Sequence, residues 1–159
     1  MADYPFFPVF VDLSAQRALV VGGGRIAARR VNTLSQFCPN VTVVAPDIHP
    51  DIAALAARGR VKTVERAYRE EDLDGAELVL ACTDDGALNA AVVEACRARH
   101  IPVNDASDRN RCDFLFPGIA RRGEVVAGVT AGGKDHALAR RATEAVRRCL
   151  ERELDGNNK

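Results

Sequence analysis

An apolar run, three glycines and a helix-forming segment follow one another in Arg17-Ala18-Leu19-Val20-Val21-Gly22-Gly23-Gly24-Arg25-Ile26-Ala27-Ala28-Arg29-Arg30. Such a stretch reads as strand, tight turn and helix. Gly22, Gly24 and Ala27 fall on the G-x-G-x-x-G/A spacing of a dinucleotide site. There the first glycine makes the turn, the second lets backbone approach a pyrophosphate, and the small third residue lets helix pack on strand. The N-terminus of the helix then offers N–H groups and partial positive charge to phosphates. A purely structural strand-to-helix turn uses the same residues, so Gly22, Gly23, Gly24, Arg25 and Ile26 are candidate cofactor contacts on the strength of their place after a strand.

Downstream, strand-length apolar runs alternate with segments of helical period. Strands are expected at 41–45, 61–65, 77–82 and 101–104, and helices at 48–57 and 87–99, with a short acidic turn at 70–74. The alternation predicts an α/β, Rossmann-like parallel sheet with helices on both faces, and a ligand at the carboxyl ends of its strands. That rule nominates Ala45, Pro46 and Asp47, and then Thr83 and Asp84. Asp47 lies one step beyond the place of a ribose-binding acid, and it serves equally as the N-cap of the next helix. Arg25 would suit a 2′-phosphate or would simply be solvated. The balance favours NAD over NADP.

From Asp105 the chain turns polar, through Asp105-Ala106-Ser107-Asp108-Arg109-Asn110-Arg111-Cys112-Asp113. Apolar segments 114–117 and 124–130, separated by Arg121-Arg122-Gly123, read as a β-hairpin, and 134–154 as a final helix. The expected domains are 1–113, binding the nucleotide, and 114–159, a hairpin and helix for dimerisation, because an isolated two-stranded ribbon is marginal in water. The chain has 159 residues with 22 basic and 22 acidic side chains. That balance gives no case for nucleic acid, and no run reaches the roughly 20 apolar residues of a membrane span. Residues 1–10 lack the pattern of a secretory signal. Five scattered cysteines without a CxxC pair fit a reducing cytoplasm, and neither zinc nor disulfides. His49, His100 and His136 are too far apart in sequence to suggest a ligand cluster.

Several blocks in order then carry a resemblance. They are Phe7-Pro8-Val9-Phe10-Val11-Asp12-Leu13, the glycine turn, Val41-Thr42-Val43-Val44-Ala45-Pro46, Ala81-Cys82-Thr83-Asp84-Asp85, Pro102-Val103-Asn104, Cys112-Asp113-Phe114-Leu115-Phe116-Pro117 and Gly132-Gly133-Lys134 with Ala137-Leu138-Ala139-Arg140-Arg141. Together they resemble the precorrin-2 dehydrogenase family, which includes the N-terminal part of siroheme synthases, over residues 6–148.

The resemblance implies NAD-dependent oxidation of precorrin-2 to sirohydrochlorin by a homodimer. It also implies a carboxylate base in the loop after Asn104. Counted without gaps from Asn104, the family's aspartate position holds Ser107, flanked by Asp105 and Asp108. The expected catalytic residues are therefore Asp108 first and Asp105 second, with Ser107 as hydrogen-bonding neighbour; each aspartate could instead stabilise a turn. Arg111, Thr130, Gly132, Gly133 and Lys134 are the expected substrate contacts, within a basic last third suited to a polycarboxylate. The chain's length and the displaced aspartate point away from iron insertion. The alternative is a non-enzymatic NAD-binding regulatory module.

Overall fold

In the computed structural model, which describes residues 6–155, the apolar runs become β1 (Arg17–Val21), β2 (Asn40–Ala45), β3 (Lys62–Glu65), β4 (Leu78–Ala81) and β5 (Val103–Asp105). They pair in parallel in the order β3-β2-β1-β4-β5. Between them run α1 (Arg25–Leu34), α2 (Pro50–Ala57) and α3 (Gly86–Ala98), while β3 reaches β4 through a single 3-10 turn at Glu70–Leu73. Successive strand residues point to opposite faces. Leu19, Val21, Val44, Val79, Ala81 and Val103 join Val92, Val93 and Cys96 of α3 in one apolar cluster. Val20, Val43 and Leu80, of opposite parity, are equally buried. Both faces are thus covered, which is why these strands read as continuous apolar runs rather than alternating ones.

This sheet and its helices lie in a compact unit, Val11–Phe114. A second unit takes in the described residues 6–10 and 115–155. Its hairpin joins β6 (Gly118–Arg122) to β7 (Val125–Val129), and α4 (His136–Asp155) follows. The first hairpin strand is therefore not the expected 114–117. Gly123 adopts φ 57°, and pairing of Arg122 with Val125 closes a two-residue turn. Counting back from that turn ends the ladder at Gly118 opposite Val129, leaving Pro117, which has no N–H to donate, outside it. Likewise α4 starts at His136 rather than 134, because Gly132 and Gly133 take left-handed φ and the Asp135 carboxylate accepts from the Leu138 amide at 2.8 Å.

Little of this second unit is buried. Among its described residues only Ala120 and Thr143 are, where α4 packs on β6 so closely that a Cβ at Gly118 would strike Thr143 Oγ1. Phe7 and Phe10 are 85% and 77% exposed. The expected outer limits 1 and 159 lie outside the described residues, as do the first five of the residues compared with a secretory signal. No helix among the described residues is long and apolar enough to cross a membrane.

Candidate functional site

The carboxyl ends of β1, β2, β4 and β5 gather three turns and a loop within the sheet unit. Gly22 follows β1 with φ 113°, and its amide donates to Val44 O at 2.9 Å. A Cβ there would lie 2.6 Å from both the carbonyl carbon and oxygen of Cys82 and 2.9 Å from Thr83 N. Gly23 is held as tightly on the other side: a Cβ would strike the Asp47 carbonyl oxygen, and Gly23 O accepts from the His49 amide at 2.8 Å. The first two glycines thus let the β1 turn touch the turns after β4 and β2. Gly24 differs, since a Cβ there would meet nothing within 4 Å. It is the N-cap of α1, with no side-chain cap and no acidic residue in the first turn. Open space in front of helix N–H groups with no side-chain acceptor is what a pyrophosphate needs, so these residues fit a dinucleotide. Ala27, fully buried, lets α1 lie against the sheet, and Arg25 and Ile26 are exposed beside the opening.

At the end of β2, Ala45 is buried and Pro46 and Asp47 are exposed. Asp47 is not the cap of α2. Pro50 occupies the first helical position, where its missing N–H costs nothing, so the cap falls on His49, whose Nδ1 accepts from Asp51 N at 3.2 Å. The Asp47 carboxylate is left at the surface, on the residue whose own carbonyl lies against Gly23. After β4, Asp85 caps α3 by accepting from the amides of Ala87 and Leu88 at 2.8 and 3.1 Å, and Asp84 is exposed. Thr83 turns inward to Asn89 of α3, a fully buried side chain.

The loop after β5 separates its two aspartates. Asp105 is 2% exposed and accepts from Ser107 Oγ at 2.6 Å, from Ser107 N at 2.8 Å and, in an ion pair, from Arg111 Nε at 2.8 Å. Burial pushes this carboxyl upward, but the two Ser107 donors and the Arg111 guanidinium outweigh it and hold it below the usual carboxylate value. Asp108 caps the 3-10 turn Arg109–Arg111 through Asn110 N at 2.9 Å, yet its side chain remains 38% exposed and only 3.6 Å from Arg111 Nε. Asp108 is the accessible acid and Asp105 the anchored one. Arg111, expected at the substrate, is built into this loop by its bond to Asp105.

Several residues that the sequence reading did not name as contacts line the same edge. Arg30 of α1 donates to Asn104 Oδ1 and approaches Cys82 Sγ at 3.9 Å. Asn104 in turn donates to Phe114 O at 2.7 Å and to Cys112 Sγ at 3.3 Å. Burial raises the Cys82 thiol to about 11 despite Arg30, so it stays protonated. An asparagine inside an apolar run is a signal for Asn104 and Asn89, since a buried amide must find partners. Arg30, three residues past Ala27, carries no such signal. Thr130, Gly132, Gly133 and Lys134 belong to the other unit. Thr130 and Lys134 are exposed, and Lys134 N donates to Ala131 O at 3.2 Å.

Comparison with known proteins bears on this site. An NAD(P)-binding family model matches residues 9–118. The chain is 41% identical to siroheme synthase of Methylobacillus flagellatus over 133 residues, 84% of this chain and 28% of that protein. It is 38% identical to siroheme synthase 1 of Pectobacterium atrosepticum over 149 residues, 94% of this chain and 31% of that protein. The chain thus spans less than a third of the length of these curated relatives. Among solved structures, SirC, precorrin-2 dehydrogenase, aligns with a TM-score of 0.74 at 29% identity, covering 91% of this chain and 71% of that one. TcdA (CsdL), at 18% identity and a TM-score of 0.50 over 58% of this chain and 51% of that one, shares the fold alone.

Proposed function

Because the chain belongs to this NAD(P)-binding family, we propose that it oxidises precorrin-2 to sirohydrochlorin with NAD⁺ in siroheme biosynthesis. The observation that carries the reading is one sheet edge bearing both the open glycine turn at Gly24 and the accessible carboxylate of Asp108. Gly22, Gly23, Gly24, Arg25 and Ile26 would hold the pyrophosphate, with Ala45, Pro46 and Asp47 at the ribose and Thr83 and Asp84 on the far side of the switch point. NAD⁺ supplies the hydride acceptor when bound. Asp47, a carboxylate next to the glycine turn, suits ribose hydroxyls and repels a 2′-phosphate, which supports NAD over NADP.

The dehydrogenation removes a hydride from one ring carbon and a proton from elsewhere on the macrocycle, extending its conjugation. Asp108 takes that proton as general base, and Asp105, kept ionised, fixes Arg111 beside it. Ser107 orients Asp105 rather than reacting. Arg111 in the sheet unit, and separately Lys134 with the Thr130, Gly132 and Gly133 backbone in the hairpin unit, are each proposed to bind carboxylates of the substrate. Incubated anaerobically with precorrin-2, the purified protein is expected to form sirohydrochlorin and NADH in equal amounts with NAD⁺, and far more slowly with NADP⁺. Fe²⁺ and sirohydrochlorin should give siroheme no faster than without protein. Bound NAD⁺ with unchanged precorrin-2 would replace this reading with a regulatory module.

The hairpin unit supports a homodimer. With Phe6, Phe7, Val9, Phe10, Val125 and Leu138 all exposed and no core of its own among the described residues, a second copy is the natural cover for it. Light scattering should read twice the 17.1 kDa chain mass; one chain mass at micromolar concentration removes the proposal. Five cysteines without a disulfide support a reducing compartment, the cytoplasm.

A further inference from the structure

Asn89 stands out as an amide placed on the apolar side of α3. It is fully buried, near Val92, Val93 and Cys96 in sequence, where an alanine would suit the helix better. A buried amide is costly unless every polar atom is matched, and here every one is. Its Oδ1 accepts from Thr83 N at 3.1 Å and from Thr83 Oγ1 at 2.7 Å. Its Nδ2 donates to Thr83 O and to Ser107 Oγ, both at 3.1 Å. The first three bonds shape the turn after β4, on the cofactor side. The fourth crosses to the loop after β5.

That fourth bond sets the direction of everything beyond it. Having accepted from Asn89, the Ser107 hydroxyl directs its own proton to Asp105 Oδ1, 2.6 Å away. The other Asp105 oxygen takes Arg111 Nε at 2.8 Å, and the same nitrogen lies 3.6 Å from Asp108 Oδ2. Thr83, Asn89, Ser107, Asp105, Arg111 and Asp108 thus form one continuous polar chain from the cofactor edge to the accessible carboxylate. It also gives position 107 a reason to hold serine, because a carboxylate there could not donate to Asp105.

We propose that Asn89 is a positioning residue that ties the cofactor edge at Thr83 to the carboxylate loop and, through Ser107, Asp105 and Arg111, holds Asp108 in place. The effect on turnover rests on the dehydrogenase reading; the physical linkage does not. Asn89→Asp keeps the two bonds accepted from Thr83 N and Oγ1 but loses both donated bonds, to Thr83 O and to Ser107 Oγ. Ser107→Ala breaks the same link from the far end without burying a charge.

In the full-length protein both variants are expected to lower kcat about 10- to 100-fold, the loss that follows from displacing a reacting group by about 1 Å. The KM for NAD⁺ should change little. The double variant should be no slower than the slower single one, because both cut one link. Amide hydrogen exchange at Ser107 and Asp108 should speed up in Asn89→Asp while exchange along β1 stays slow. Unchanged exchange at Ser107 and Asp108, or multiplicative kcat losses in the double variant, overturns the proposal. If the wild type binds NAD⁺ but turns over no precorrin-2, the functional reading has failed, and the exchange measurement still decides the linkage.

Discussion

Gly22→Ala is expected to abolish NAD⁺ binding, with affinity falling by more than about 100-fold, or about 2.7 kcal/mol. The cause is that two demands meet at one atom. At φ 113° an L-residue is strained, at a cost of about 1–3 kcal/mol. The added methyl would also sit 2.6 Å from the Cys82 carbonyl, and its neighbours are backbone rather than a side chain that could rotate away. Either β1 or the turn before α3 must shift, and both border the phosphate opening. The melting temperature should fall as well. Gly24→Ala is the informative control: its backbone is ordinary, with φ −81°, and its Cβ enters open space. That variant should keep the wild-type melting temperature and still lose affinity, because the methyl enters the space the pyrophosphate would take. Calorimetric titration and thermal melting of both proteins check the pair. Normal NAD⁺ affinity in Gly22→Ala would show that the turn is only structural.

The second large effect separates the two acids. Asp108→Asn should lower kcat about 10²- to 10⁴-fold, the range for loss of a general base, with NAD⁺ affinity and melting temperature nearly unchanged. Asp105→Asn should act on stability first, because Arg111 loses its partner. The cost should be about 1–3 kcal/mol, below that of a fully buried pair since Arg111 is 30% exposed. The pH dependence has a definite sign. The folded value of Asp105 lies below its unfolded one, so its stabilisation is complete above the unfolded value of about 3.9 and disappears as pH falls through the folded value. The wild type should therefore outlast Asp105→Asn in urea at neutral pH and converge with it below about pH 4. Full turnover in Asp108→Asn, with turnover lost in a well-folded Asp105→Asn, would exchange their roles.

The layered sheet was legible because its signals are local. Apolar runs of strand length and glycine-proline punctuation survive in a single sequence, and they yielded all five parallel strands. Only the first strand of the hairpin lies elsewhere than its composition suggests, for an equally physical reason. Phe114, Leu115 and Phe116 look like a strand by composition, whereas a two-residue turn at Gly123 decides where the ladder can run. Asp47 was open between cap and ribose contact until Pro50 put the cap on His49.

By itself the sequence determined the layered sheet and the three-glycine turn at the edge proposed for the nucleotide, since each depends on neighbours within a few positions. It also nominated two aspartates, Asp105 and Asp108, for the proposed base. Only the tertiary structure decided between their environments, burying Asp105 on Arg111 and leaving Asp108 open, and only there do Asn89 and Ser107, 18 residues apart, share a hydrogen bond. Burial and hydrogen-bond partners are set by which strand ends lie side by side, and that adjacency is a property of the sheet rather than of any one segment.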